Sequence, residues 1–524
     1  MRRAFVLSCL LAALVSVPML SRAEDDGGRY KHVLLISVDG LHSVDVTNYI
    51  ASHPNSAMAE LAKHGTTFNE ARLPGNSDSF PGLLALVTGG GPISHGIFYD
   101  ASYNRSFFDP SNTTCTGDPG APQVFDESID LYVGHVSQNV IDPTALPRRK
   151  HNGVCEPVFP HQVLRTNTVF EVIHSAGGLT AWADKHPAYD LVNGPSGHGV
   201  DDLYTPEITN VDGFDATVSV VCTAQNDELK VNAIVNEIDG YNHDMSAHPG
   251  MPAILGMNFQ AVSVGQKLAK EGSDCAGPYV GQPGGYLDAA GTPSAVLQYG
   301  LDSVDEALGD MIQALKASGK YESTLFIVSA KHGQTPIDPS LVRKPGHFVD
   351  LVSANNDGSD AASQLLTAGN CGSGNCGLIQ DDDVALIWLP DQSKTAEVAK
   401  WLKDHTGALY IQQVIADDQM EDRFGNPLKD NTTPDIMVQP IPGTIYTTST
   451  KKNAEHGGLA DNDVHVGLIV SNPGLPQRTV NAPVKTSQVA PTVLKALGLD
   501  PDALGAVRIE HTEALPALQL GGDE

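Results

Sequence analysis

Short apolar runs recur along the chain, and segments with helical periodicity lie between them. Apolar runs of five to eight residues, bounded by polar or turn residues, are typical of strands buried on both faces. The predicted strands are residues 32–38, 66–73, 179–184, 253–259, 323–330, 383–389, 435–439 and 464–470. The predicted helices are residues 55–65, the stripe Leu301, Val304, Leu308, Ile312 and Leu315, and residues 486–499.

The alternation of strands and helices predicts an α/β fold with a doubly wound, mostly parallel sheet. Ligands of such sheets bind beyond the carboxyl ends of the strands, so polar residues at those ends are the first candidates for chemistry. Residues from about 340 to 445 contain strands and a helix of their own, and we interpret them as an inserted α+β cap. Residues 24–524 are otherwise expected to form a single domain.

The first 23 residues have the pattern of a secretory signal peptide. Arg2 and Arg3 precede an apolar run that extends to Leu20, and a small residue, Ala23, ends the segment. A retained membrane anchor is the alternative, but Pro18 and polar residues interrupt the run. We therefore expect cleavage near Ala23 and a secreted or periplasmic protein. No later run is long enough to span a membrane, which requires about 18 apolar residues.

Cysteine usage agrees with export. Cleavage of the signal peptide leaves six cysteines, and an even number in an exported chain indicates disulfides. The loop CGSGNC, residues 371–376, closes most easily on itself. Neighbouring pairs, Cys115 with Cys155 and Cys222 with Cys275, are the simplest arrangement of the rest.

The chain is strongly acidic. Its formal net charge is −30, and loss of residues 1–23, which contain three arginines and no acid, would leave −33. Without a basic stripe to neutralise phosphates, a nucleic-acid polymer is not an expected partner. The sequence leaves the oligomeric state open.

Five polar residues follow or precede the predicted core elements. Asp39 follows the first strand, Lys331 and His332 follow residues 323–330, and His456 precedes two glycines. Ser79 lies just before Phe-Pro, where an apolar helical pattern begins. A serine at this position is often only an N-cap, although a helix N-terminus also favours an anion. Each signal is weak alone, because single histidines usually have structural roles.

Taken together, these residues resemble the alkaline phosphatase superfamily, and within it the nucleotide pyrophosphatase/phosphodiesterase branch. The likeness is carried by VLLISVDG (33–40), SFPGLLALVTGGGPISHGIFYD (79–100), the two His-Gly motifs and SQVAPTVLKALGLD (487–500). It extends over roughly residues 30–500. The resemblance implies a sheet of the alkaline phosphatase type and hydrolysis of phosphate esters through a phosphoryl-serine intermediate at Ser79.

The resemblance also implies divalent metal ions, with zinc expected. In such enzymes two ions clamp the attacking and leaving oxygens. Asp39, Ser79 and His332 match ligands of the nucleophile-side ion, and Asp288 and His456 match ligands of the other. The motifs leave open whether this chain holds one ion or two.

Three departures from the family pattern affect the expected site. Lys331 stands where the family has an aspartate ligand, Thr292 replaces a histidine ligand, and Asp100 replaces an asparagine that binds phosphate. An ammonium among metal ligands repels a cation, so Lys331 is expected to stabilise phosphate charge in place of one ion. Alternatively, the block ADKHPAYDLVNGPSGHGVDD (183–202) supplies other ligands, although its Pro and Gly residues favour a structural turn.

The favoured function is an exported, metal-dependent phosphodiesterase or nucleotide pyrophosphatase that acts on a small-molecule phosphate ester or diester. Ser79, Lys331 and Asp100 are its expected catalytic residues. A catalytically inactive binding protein on the same fold is the first alternative, because two metal ligands are replaced. A sulfatase or phosphonate hydrolase is the second, although Leu83 stands where a sulfatase motif would have arginine.

Overall fold

The computed structural model describes residues 29–131, 140–209, 215–275, 277–371 and 374–520. A central eight-stranded sheet with helices on both faces dominates this part of the chain, and a second sheet has four strands. The predicted signal peptide, residues 1–23, lies outside the described residues.

The described residues contain twenty strands and fifteen α-helices. The strands are β1 (His32–Val38), β2 (Gly65–Phe68), β3 (Ala71–Arg72), β4 (Ala101–Asn104), β5 (Ala121–Val124), β6 (Asp130–Leu131), β7 (Val140–Ile141), β8 (Arg148–His151), β9 (Val154–Pro157), β10 (Ala181–Ala183), β11 (Asp202–Tyr204), β12 (Ile254–Phe259), β13 (Thr324–Ser329), β14 (Leu378–Asp381), β15 (Ala385–Trp388), β16 (Ile411–Ala416), β17 (Ile436–Pro440), β18 (Ile469–Ser471), β19 (Arg478–Val480) and β20 (Val484–Lys485). The helices are α1 (Ser43–Ser52), α2 (Ala57–Lys63), α3 (Ser79–Thr88), α4 (Pro92–His95), α5 (Val169–Ser175), α6 (Val220–Ile238), α7 (Ala261–Lys267), α8 (Ala295–Ala317), α9 (Phe348–Ala354), α10 (Asp360–Gly369), α11 (Thr395–Asp404), α12 (Asp418–Phe424), α13 (Asp461–Val464), α14 (Val489–Ala496) and α15 (Gly505–Glu510).

The central sheet has the strand order β11-β10-β12-β1-β13-β18-β2-β19. Strand β1 pairs in parallel with β12 and β13, and β18 is antiparallel to both of its neighbours. The predicted doubly wound, mostly parallel α/β fold is thereby confirmed. The carboxyl ends of β1, β10, β12 and β13 meet at one edge of the sheet, because these neighbouring strands run in the same direction.

The two faces of β1 belong to different hydrophobic cores. Val33 and Leu35 contact the core that contains α3, α5 and α14, whereas Leu34 and Ile36 contact the core that contains α2, α6 and α8. Burying one such side chain stabilises the fold by about 1.5–3 kcal/mol. Helices on both faces explain why these strands appear as continuous apolar runs in the sequence.

The second sheet lies within the segment predicted to be a cap. Its order is β14-β15-β17-β16, all antiparallel, and α9, α10 and α11 contribute to the core on one of its faces. The other face contacts Phe98, Tyr99 and Tyr103, which follow α4. This arrangement is of the predicted α+β type, while the treatment of residues 24–524 as one domain stays a prediction.

Three disulfides join the cysteine pairs expected from the sequence. They are Cys115–Cys155, Cys222–Cys275 and Cys371–Cys376. Each pair therefore closes a segment between neighbouring cysteines. Within the described ranges, every helix is too short or too polar to cross a membrane.

Candidate active site

The predicted catalytic motifs converge at the carboxyl edge of the central sheet. Asp39 follows β1 and leads into Gly40, whose φ of +81° suits a residue without a Cβ. Lys331 and His332 follow β13, which is paired with β1. Helix α3 brings Ser79 to the same place.

Ser79 is the first residue of α3, and the preceding residue, Asp78, caps the helix by accepting a hydrogen bond from the Phe80 amide. The alternative that Ser79 is merely the N-cap is therefore wrong. Gly82 allows the close approach of α3 to the strand end, since a Cβ there would lie 1.8 Å from the Lys331 carbonyl oxygen. The Ser79 hydroxyl is consequently held at the site rather than used as a cap.

The Ser79 hydroxyl has three polar neighbours. Its Oγ lies 3.3 Å from Asp39 Oδ2 and 3.2 Å from His332 Nε2. The Lys185 ammonium donates a hydrogen bond to the same Oγ at 3.3 Å. A carboxylate, an imidazole and a cation thus surround a single hydroxyl, which is an arrangement that can activate a nucleophile.

His332 has a defined tautomer in this arrangement. Its Nδ1 lies 2.9 Å from the Gly333 carbonyl oxygen, which can only accept, so the proton resides on Nδ1 and Nε2 is free to accept from Ser79. Burial lowers the pKa of His332, although the Asp39 charge partly opposes this effect. His456 lies beside it, with 4.0 Å between ring centroids, and burial followed by the Lys267 charge holds its pKa well below the usual range.

Asp39 and Lys185 form a buried ion pair at the centre of the site. The Lys185 Nζ donates to Asp39 Oδ2 at 2.9 Å and to Gln260 Oε1 at 2.8 Å. Burial alone would raise the pKa of Asp39, but the Lys185 and Lys331 charges outweigh it and hold the pKa well below the usual range. Burial likewise opposes the charge of Lys185, but Asp39 raises the pKa of that ammonium overall.

Lys331 is directed away from the nucleophile. Its ammonium donates to both oxygens of Asp184 at 2.9 Å and lies 3.9 Å from the centre of the Tyr189 ring. Burial lowers its pKa to about 8 despite the Asp184 charge. The carboxylate partner of this lysine is therefore Asp184.

Asp100 and Asp78 form a second acidic group near Ser79. Burial raises the pKa of Asp78 to about 7, and burial together with the Asp78 charge raises the pKa of Asp100 to about 8. A raised pKa is expected for a buried carboxyl beside another carboxyl, because two like charges at short distance cannot both ionise easily. Asp100 is thus near the site, but the described hydrogen bonds do not join it to Ser79.

Asp288 is the predicted site residue that the structure does not bring to the others. It lies in an exposed turn, where its carboxylate accepts hydrogen bonds from the Thr292 hydroxyl at 2.8 Å and from the Ala290 amide. The predicted site residues did not include Lys185, which contacts Ser79, or Gln260, which contacts Lys185. The available signal was the Asp-Lys-His run directly after the predicted strand 179–184.

The donors do not fit the two-metal arrangement that the resemblance implies. On the nucleophile side, the Lys185 ammonium lies between Asp39 and Ser79, where a bridging cation would bind. On the other side His456 is separated from Asp288. Throughout the described ranges, no group of three or more His, Cys, Asp or Glu side chains is arranged to hold a metal ion.

Unpaired buried polar atoms cluster around Ser79. Asp39 Oδ1, Asp78 Oδ2, Tyr189 Oη and His456 Nδ1 are buried without a hydrogen-bond partner in the described part of the chain. Such atoms cost about 1–3 kcal/mol each unless a ligand contacts them. The site is therefore suited to a small polar ligand that carries several hydrogen-bonding atoms.

A cavity of about 770 Å³ adjoins the site. Gln260, which contacts Lys185, forms part of its wall, and Lys267, Lys270, Lys451 and Lys452 also line it. Lys267 and Lys452 both pair with Glu455, next to His456. This volume is sufficient for a group the size of a nucleoside.

Comparison with known proteins now identifies the class. The family model described as type I phosphodiesterase / nucleotide pyrophosphatase matches residues 33–462. The chain belongs to this family and is a phosphodiesterase-type phosphoester hydrolase. Among curated proteins no match was found.

Solved structures share the fold. Murine ectonucleotide pyrophosphatase / phosphodiesterase 5 is 16% identical with a TM-score of 0.55, covering 90% of this chain and 96% of that one. An inactive variant of that protein in complex with AMP is 16% identical with a TM-score of 0.53, covering 93% and 96%. Alkaline phosphatase PafA is 14% identical with a TM-score of 0.55, covering 94% and 99%. The predicted alkaline-phosphatase-type fold is confirmed.

Proposed function

We propose that this protein hydrolyses small phosphate diesters through a covalent phosphoryl-Ser79 intermediate. The observation that supports this most strongly is the contact between Ser79 Oγ and the unprotonated Nε2 of His332 at 3.2 Å. A nucleophile beside an oriented base is the arrangement that covalent catalysis requires. Family membership supplies the class of reaction.

In the first step, Ser79 attacks the phosphorus of the bound diester. The Oγ–P bond forms and the bond from phosphorus to the leaving oxygen breaks, while the Ser79 proton passes to His332 Nε2. The imidazolium then gives this proton to the leaving oxygen, directly or through water. Asp39 Oδ2, 3.3 Å from Oγ, is the other acceptor within reach of this hydroxyl, so the Ser79 proton points towards the imidazole when it is transferred.

The second step returns the enzyme to its starting state. Water attacks the phosphoryl group as His332 Nε2 accepts one of its protons, and the Oγ–P bond breaks. The same proton then passes to Ser79 Oγ, so the net reaction consumes one diester and one water and gives a monoester and an alcohol. Asp100 and Lys331 are proposed to act through charge, since the described contacts do not join either side chain to Oγ.

The start of helix α3 favours the phosphate charge of a diester bound at Ser79. Ser79 is the first residue of the ten-residue helix α3, whose positive N-terminal end favours an anion. We place the leaving group in the adjoining cavity, whose wall contains four lysines and three acidic residues. A nucleotide or another phosphate ester meets these requirements, and the AMP complex of the murine protein supports the first.

The metal dependence implied by the resemblance is not part of this mechanism, whereas export is part of the proposal. Divalent metal, with zinc expected, follows from the resemblance alone, because the donors near Ser79 do not reproduce the expected ligand sets. Export after cleavage near Ala23 is supported by the three disulfides, which persist in oxidising compartments.

The test is hydrolysis of a chromogenic phosphate diester by the purified mature protein. Ser79→Ala is expected to abolish turnover, since it removes the nucleophile, and to leave the circular dichroism spectrum unchanged. Ser43→Ala is the matched control, because Ser43 is also the first residue of a helix but donates to the Asn69 carbonyl oxygen. Mass spectrometry of acid-quenched reactions should find one phosphoryl group on Ser79.

The outcomes separate the proposed activity from its alternatives. Equal turnover in Ser79→Ala would exclude a phosphoryl-Ser79 intermediate. If diesters, monoesters, phosphonates and sulfate esters all remain intact with the wild-type protein, the proposal fails in favour of an inactive binding protein. Preferential cleavage of a sulfate or phosphonate ester would instead indicate a sulfatase or a phosphonate hydrolase.

A further inference from the structure

We propose that Lys185 is a catalytic residue whose ammonium takes the place of the nucleophile-side metal ion. The catalytic role of Lys185 rests on the proposed function. The claim that its ammonium occupies the position of a metal ion does not depend on that function. Lys185 follows Asp184 just after β10, and a single strand, β12, separates β10 from β1, which leads into Asp39. Neither the family motif nor the predicted ligand set includes it.

The hydrogen bonds of Lys185 use the full donor capacity of an ammonium. Its Nζ donates to Asp39 Oδ2 at 2.9 Å, to Gln260 Oε1 at 2.8 Å and to Ser79 Oγ at 3.3 Å. A lysine ammonium has three protons, so each has an acceptor. Two of the acceptors, Asp39 and Ser79, are atoms that a nucleophile-side cation would coordinate.

The charges of the surrounding side chains lead to the same conclusion. Two carboxylates, Asp39 and Asp184, are paired with two ammonium groups, Lys185 and Lys331. The charges within these two pairs cancel, so neither pair offers excess negative charge to a divalent cation. In a buried site, a metal ion bound beside Lys185 would face an uncompensated positive charge.

The position of Lys185 also gives it a chemical role. As Ser79 transfers its proton to His332, negative charge develops on Oγ, and the Lys185 ammonium already donates to this atom. An electrostatic group fixed before the reaction stabilises such charge without reorganisation. The sequence predicts that Lys331 stabilises phosphate charge in place of one ion, but its ammonium donates to Asp184, whereas the Lys185 ammonium donates to the nucleophile.

Zinc binding and turnover of Lys185 variants test the inference. After dialysis against chelator and incubation with zinc, the wild-type protein should retain no zinc and should keep its rate when chelator is present. Lys185→Ala opens the position between Asp39 and Ser79 and should bind one zinc ion, measured by elemental mass spectrometry and calorimetry. Adding Asp39→Asn to that variant should remove the zinc again.

Turnover gives the second readout. Lys185→Met keeps most of the side-chain volume but removes the charge, and we expect a loss of about 100- to 1,000-fold in kcat. Lys185→Arg should retain more activity, because it keeps a cation. Lys403→Met, on the surface of α11, is the matched control and should equal the wild type.

Two results would overturn the inference. The first is that the wild-type protein binds one zinc ion and loses it on Asp39→Asn substitution. The second is that Lys185→Met turns over substrate at the wild-type rate. A wild-type protein that hydrolyses no ester would defeat the proposed function, yet the zinc comparison would still decide whether Lys185 occupies the cation position. Circular dichroism of Lys185→Met and Lys185→Arg checks that both variants fold.

Discussion

At the scale of single residues, the pair formed by Lys331 and Asp184 is unusual because both side chains are fully buried. Two further donors, the Trp182 indole and the Lys185 amide, satisfy the Asp184 carboxylate, and the Tyr189 ring lies against the ammonium. A buried charge with this many partners links the segment after β10 to the segment after β13, across the two strands that lie between them. Removing one partner leaves the other charge without compensation.

We therefore predict that Lys331→Met lowers the free energy of unfolding by about 3–5 kcal/mol, the usual effect of breaking a buried pair. Adding Asp184→Asn should recover part of this loss, because the unpaired charge is gone. Urea unfolding of the two single variants and the double variant measures the coupling energy. Additive losses would show that the two side chains do not depend on each other, and Lys403→Met serves as the exposed control.

The sequence reveals the site residues that belong to local motifs and misses the one that tertiary packing brings to the site. Asp39, Ser79 and His332 belong to short local motifs at element ends, so their positions follow once the elements are predicted. Lys185 reaches Ser79 only through tertiary packing across 106 residues of sequence, which local patterns do not encode. Asp288 shows the reverse error, since its apparent motif forms a local turn with Thr292.

At the scale of elements, strand predictions succeed where both faces are covered. Residues 32–38 form β1 over the same range, whereas residues 464–470 contain only the start of β18 because Val464 ends helix α13. The predicted strand 66–73 divides into β2 and β3. Apolar composition alone does not distinguish a strand from the short helix and turn that precede it.

Helix α6 contains a buried carboxyl that the sequence pattern does not reveal. Glu237 is fully buried, and neither of its oxygens has a hydrogen-bond partner in the described part of the chain. Burial, followed by the Asp202 charge, raises its pKa well above the usual 4.5. The unfolded chain therefore loses this proton at a lower pH than the folded chain does, and stability falls as the pH rises above 4.5.

We predict that Glu237→Gln is more stable than the wild type at pH 7 and that the difference shrinks as the pH is lowered towards 4. Each pH unit above the unfolded pKa corresponds to about 1.4 kcal/mol until the folded pKa is reached. Urea unfolding between pH 4 and pH 7 measures the difference. A pH-independent difference would contradict protonation of Glu237 in the folded state.

At the scale of the whole molecule, the formal net charge of −30 opposes the approach of an anionic substrate. The adjoining cavity differs from this average, because four lysines and three acidic residues line it. Salt separates the two effects. The Debye length is about 30 Å at 0.01 M salt and about 8 Å at 0.15 M, so salt screens the distant acidic surface before it screens contacts within the site.

We predict that kcat/KM for an anionic diester rises as salt increases from about 0.01 to 0.15 M, while kcat stays constant, because only the encounter is affected. The rise should be steeper for a nucleotide pyrophosphate, which carries more negative charge than a simple diester. Steady-state kinetics with both substrates at matched pH provide the measurement. A fall in kcat/KM over this range would mean that the lysines around the cavity, rather than the overall acidic charge, control the approach of the substrate.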